Sequence, residues 1–151
     1  MRKDYDLSSI FMNEEKGANM LMTSITGLGK WIFLSGFVIY VGLHFALADV
    51  GAKMVPSFLP FPYFWNYLTG VLILAFIVSG FLGRYDKLAA LLMALYIFLV
   101  AVLIHIPGAI WGSSMELDSS QEVVNVFRNM IAMGGALMFA GGFAVDKRIV
   151  G

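Results

Sequence analysis

The sequence predicts an all-α protein, an integral membrane four-helix bundle with N and C termini cytoplasmic. Three observations predict it. Sixty per cent of the residues are hydrophobic and 13% are charged, whereas roughly a quarter of a soluble domain is charged. Four apolar windows approach the roughly 20 residues a helix needs to cross a hydrocarbon core. None of them alternates with the period of a barrel strand. Basic residues collect on one side of those windows. Inside lipid only helices and closed barrels satisfy every backbone polar group, so windows without alternation are helices. A length of 151 residues suits one domain.

The chain divides into residues 1–24, an N-terminal cytoplasmic arm, and residues 25–151, the four-span domain. The arm is polar with scattered Leu7, Ile10, Phe11 and Met12, a composition that can rest on a membrane surface. "ALADV" at 46–50 looks like a leader cleavage site, but the long, partly acidic segment before the apolar run is wrong for a leader. The first span is expected at about 29–48, the second at 63–83, the third at 88–106 and the fourth at 125–145.

Between spans one and two, "PSFLPFP" (56–62) holds three of the four prolines. Proline fixes its own φ and pushes its predecessor to extended backbone. The loop is therefore stiff, and with Phe58, Leu59 and Phe61 it is apolar. It folds over the end of the bundle as a lid or serves as a rigid interfacial connector. The loop before span four carries Glu116, Asp118 and Glu122. There "SSQE" (119–122) fits a capping box with Ser119 as N-cap and Glu122 as its partner.

Arg2, Lys3, Lys16, Lys30, Arg84, Lys87, Lys147 and Arg148 fall on one side of the spans, and Lys53 and Arg128 on the other. By the positive-inside rule the crowded side is cytoplasmic. Trp31 and Tyr85 mark the inner boundary, and Tyr63, Trp65 and Trp111 the outer one. Helices in lipid associate through small residues. Gly134 with Gly141, Gly135 with Gly142, Gly29 with Gly36, and the Ala132, Ala136, Ala140 series are read as packing faces.

The segment "NVFRNMIAMGGAL" (125–137) places an arginine and two asparagines where they enter the bilayer. Placing all polar residues by depth brings His44, Asn66, His105, Arg128 and Asn129 to one level, from four spans. Ionisable residues inside a membrane usually face the protein interior and mark sites. These five are the candidate ligand-binding residues, in a polar layer near the outer leaflet. "VGLHF" and "VLIHI", followed by "FWN" and "FRN", hint at two matched hairpins pairing His44 with Asn66 and His105 with Asn129. The plainer readings stand beside this one: Arg128 reaching headgroups or pairing with Glu116 or Asp118, and the histidines and asparagines acting only as interhelical hydrogen bonds.

Such a layer suits a quinone, whose head takes hydrogen bonds while its tail stays in lipid. Arg128 can equally hold an anion. Two histidines on two helices can ligate a b-type haem, although helix-end positions disfavour it. No metal site is assigned, because a zinc site wants more ligands than these. Zero net charge gives no reason to expect nucleic acid. With no cysteine, the chain itself carries no disulfide, Fe–S ligand or thiol redox. No phosphate-binding loop, dinucleotide turn or catalytic triad pattern is found.

"VPSFLPFPYFWNYLTG", the basic turn followed by "AALL" (89–92), "HIP" (105–107) and "GGAL" (134–137) together resemble the DoxX/DoxD-like family of small four-span membrane proteins. The resemblance covers roughly 30–145 and leaves out the arm. It implies an inner-membrane, multi-pass subunit of an oxidoreductase-associated system, some members being similar to the membrane subunit of a thiosulfate:quinone oxidoreductase. It carries no catalytic residues over. The expected partners are the lipid bilayer and a redox protein or a second copy. The alternative is a non-catalytic scaffold or assembly partner whose polar residues only fix helix packing.

Overall fold

The computed structural model describes residues 7–112, 118–146 and 148, with side chains from residue 11 onward. Among them the only regular structure is helical: α1 (Leu7–Gly36), α2 (Val38–Ala46), α3 (Ala48–Lys53), α4 (Pro62–Leu82), α5 (Asp86–Val100), α6 (Ile106–Trp111) and α7 (Ser119–Met138), with π turns at Ala101–His105 and Phe139–Phe143. Four stretches are long and apolar enough to cross a membrane: Phe11–Ala46, Pro62–Leu82, Asp86–Trp111 and Ser119–Phe143. Their apolar outer faces fit a lipid bilayer, as expected of a multi-pass membrane protein.

Helix α1 starts well before the span expected at 29 and runs unbroken through the boundary placed after residue 24. Its side chains from residue 11 to 26 are exposed throughout. Its hydroxyl groups are satisfied locally: Thr23, Ser24 and Thr26 donate to carbonyls four residues back. The break between α1 and α2 falls at Phe37, whose N–H reaches the Leu34 carbonyl, three residues back, at 3.1 Å. Helix α4 begins with Pro62 at its first turn, where a missing N–H costs nothing. Phe61 before it is held at φ 58°, a left-handed conformation unusual for a bulky residue.

The apolar core draws on all four stretches. Leu34, Phe76, Ala90 and Phe139 are at most 1% exposed. Phe76 meets Phe37 edge-on at 5.2 Å and Phe139 at 6.0 Å, the offset geometry aromatic pairs prefer. Packing by small residues is real, but of the glycines in the repeats only Gly135 seats a neighbour. A Cβ at Gly29, Gly36, Gly134, Gly141 or Gly142 would meet nothing within 4 Å, so these glycines hold no neighbour close. Gly80 instead seats Leu34, Gly70 seats His44 and Phe45, and Gly135 seats Phe33. Ala136 and Ala140 are buried as expected. Spacing alone could not say which face of each helix turns inward.

One end of the molecule is fastened by carboxylates. Gly83 and Tyr85 both take left-handed φ values, 63° and 53°, and turn the chain from α4 into α5. Asp86, fully buried, accepts from the N–H groups of Val145 at 2.8 Å, Asp146 at 2.9 Å and Lys87 at 3.0 Å. Asp146 returns the link by accepting from the Tyr85 N–H at 3.0 Å. Arg148 forks onto Asp146 through Nε at 2.9 Å and Nη2 at 2.8 Å, and lies 5.1 Å from the Tyr85 ring. The Arg148 hydrogen bond, then the Tyr85 N–H, holds the Asp146 carboxyl well below the usual carboxylate range. The start of α5 is thereby tied to the end of the last helical stretch.

Candidate functional site

At the opposite end from this carboxylate clasp, α2 carries His44 and α4 carries Asn66. His44 Nδ1 lies 2.7 Å from Asn66 Oδ1, and Asn66 Nδ2 donates to the His44 carbonyl at 2.8 Å. Asn66 is 1% exposed, so both contacts are shielded from water. The close fit depends on α3, because a Cβ on Gly51 would overlap Asn66 Oδ1. Tyr63 adds a second tie between these helices, its hydroxyl donating to Asp49 Oδ1 at 2.8 Å.

The second histidine is built in the same way from different residues. His105 closes the π turn Ala101–His105, in which the Ile106 N–H reaches back to the Ala101 carbonyl. Pro107 follows and lacks an N–H, so a strictly α-helical ladder would be interrupted here in any case. His105 Nδ1 lies 2.7 Å from Glu122 Oε2. Glu122 is fully buried, and a Cβ on Gly108 would come within 2.7 Å of its Oε1. Each histidine is thus held by a buried side chain that packs on a glycine.

Two expectations change here. The fourth helix is capped by Asp118, whose Oδ1 accepts from the Gln121 N–H at 2.7 Å, and not by Ser119 in a capping box. Glu122 is turned inward to His105. The match between "FWN" and "FRN" does not hold, because the residue facing His105 is Glu122 and not Asn129. Arg128 is exposed at the rim, its Nη1 donating to Asn125 Oδ1 at 3.4 Å on the same helix. Glu116, the other expected partner of Arg128, lies outside the described residues.

A cavity of about 440 Å³ opens between the helices at this end. His44, Asn66, His105, Arg128 and Asn129 all line it, so the five side chains selected by depth meet in one place. The rest of the wall is apolar or aromatic, with Phe37, Trp65, Leu72 and Ile97 among its residues, and Tyr40, Thr69 and Tyr96 supply further hydroxyls. Val55, Pro56, Phe58 and Leu59 of the proline-rich loop line the same cavity, and Trp65 Nε1 anchors that loop by donating to the Pro60 carbonyl at 2.9 Å. An apolar chamber with a few placed polar groups is the usual form of a small-molecule site.

Depth reasoning found the five polar residues but missed Glu122, Gly51 and Gly108. Glu122 carried a usable signal: it precedes Val123 and Val124 in a helix that soon becomes wholly apolar. The glycines carried none, since their role is defined by a partner on another helix. Among the described residues no three His, Asp or Glu side chains gather as a metal site would need. Comparison of the chain with family models, curated proteins and solved structures finds no match.

Proposed function

We propose that the chain is an inner-membrane subunit of a redox-associated system, a four-helix bundle of the DoxX/DoxD-like kind with both termini cytoplasmic. Its cavity binds a quinone-like lipid headgroup near the outer leaflet. The observation that carries this reading is the convergence of His44, His105, Arg128 and Asn129 on one apolar chamber of about 440 Å³. That volume is within the usual range for a small-ligand site, about 300–1,000 Å³. Arg128 and Asn129 offer donors to a headgroup oxygen, and the apolar wall suits the ring and the first part of a tail. Asn66 has a different role from the one its sequence position suggests. It orients His44 through two hydrogen bonds while lining the cavity beside it.

The test is extraction of the protein in its native lipid, followed by organic extraction and mass analysis, with binding of a short-chain benzoquinone to the purified protein alongside. Quinone enriched over the surrounding lipid, and saturable binding that Val100→Phe abolishes by filling the cavity, are expected. No enrichment together with no saturable binding overturns the reading.

One observation favours a second reading, a scaffold or assembly partner. Asn66 and Glu122 are buried and bonded to residues of other helices, which is what helix-fixing hydrogen bonds do. On that reading Val100→Phe leaves assembly with a partner or a second copy intact, and His44→Ala lowers stability without moving any ligand signal.

A further inference from the structure

We infer that the cavity takes its headgroup in the reduced, hydroxyl-bearing form, with the hydroxyl donating to His44 Nε2; this rests on the quinone reading above. The inference follows from hydrogen-bond polarity. The His44 carbonyl can only accept, so the Asn66 atom 2.8 Å from it is the amide nitrogen. The other Asn66 atom is then the oxygen, also acceptor only, and it lies 2.7 Å from His44 Nδ1. Nδ1 must therefore carry the ring proton. A neutral imidazole has one such proton, which leaves Nε2 as a lone pair. His44 thus offers the cavity an acceptor, although histidine is often taken as a donor in such sites.

An oxidised quinone has only acceptor oxygens and would set a carbonyl lone pair against Nε2. A quinol brings an O–H to the same atom. Its second oxygen can accept from Arg128 or Asn129, which line the same cavity. Gly51 keeps the arrangement rigid, because the amide oxygen cannot swing away from Nδ1 without leaving its seat against α3.

The experiment measures binding of three probes to the protein in lipid nanodiscs without oxygen: a short-chain benzoquinol, its oxidised quinone and its dimethyl ether. The quinol is expected to bind about fivefold tighter than the ether, the usual size of one net hydrogen bond, and tighter than the quinone. In His44→Ala the three affinities should converge. Binding of the quinone as tightly as the quinol overturns the inference and leaves the quinone reading standing, whereas binding of neither overturns the quinone reading itself. An independent measurement needs no ligand and no variant that must fold. In ¹⁵N-histidine spectra His44 should show a protonated Nδ1 and a bare Nε2, and the opposite tautomer or a doubly protonated ring overturns the inference.

Discussion

Replacing Asn66 by leucine keeps the branching and the number of side-chain heavy atoms and removes two hydrogen bonds at once, those with His44 Nδ1 and the His44 carbonyl. With the site shielded from water, both His44 groups are left unsatisfied. A loss of about 1–3 kcal/mol is expected, read as a lower unfolding midpoint in detergent. An unchanged midpoint would mean that the pair is not formed. Glycines give a paired test. Gly134→Ala adds a methyl group in open space on a helix and should stabilise by about 0.5–1 kcal/mol. Gly135→Ala drives a methyl group into the Phe33 ring and should cost about 1–3 kcal/mol. The candidate site was legible at this scale wherever a residue's cost could be judged alone. An arginine, an asparagine or a histidine in an apolar window stands out by desolvation. A glycine in contact with an amide oxygen from another helix does not.

At the scale of the elements, four apolar windows became four long helical stretches. The second shifted by one residue at each end, because Pro62 opens it and left-handed Gly83 closes it. The first helix begins well before its apolar window, and the fourth begins at Ser119, at the capping segment and not at the edge of its window. Hydropathy marks where lipid begins, while a helix continues past that point for as long as its backbone bonds are made. The Asp86 clasp was invisible for another reason: two of its three donors are backbone N–H groups at the far end of the chain. It makes two predictions. Asp86→Asn replaces a carboxylate bonded to three N–H groups by a group with one acceptor oxygen. Hydrogen exchange at the Val145 and Asp146 amides should rise clearly while exchange around Phe76 is unchanged. The Asp146–Arg148 fork should be insensitive to mild acid. The Asp146 carboxyl is depressed in the folded protein, so its contribution is fully present above its unfolded value near about pH 4. It is lost only as pH falls below that towards the folded value. Exchange at the Tyr85 amide as a function of pH would check this, and loosening already at pH 5–6 (well above about pH 4) would contradict it.

For the whole molecule, charge is sorted by end. Arg84, Lys87 and Arg148 lie in or beside the Asp86 clasp, while Lys53 and Arg128 lie at the histidine end. On the orientation proposed above, which follows the positive-inside rule, the clasp faces the cytoplasm. The chain has no cysteine, which makes this simple to test. In intact cells a membrane-impermeant maleimide should label Lys53→Cys, and label Arg84→Cys only after permeabilisation. The reverse pattern would turn the molecule over. The wide turn at Ala101–His105 has a consequence for the chain's tolerance of length changes. Such a turn holds one residue more than the α-helical windings on either side. Excising His105, its last residue, would let the coil close up as an ordinary α turn while the windings on either side keep their faces. The shortened chain would keep its hydropathy profile and its spans, and would still insert. Only one imidazole would be lost, so a lineage could abandon this chamber through a single deleted codon that no hydropathy plot would register.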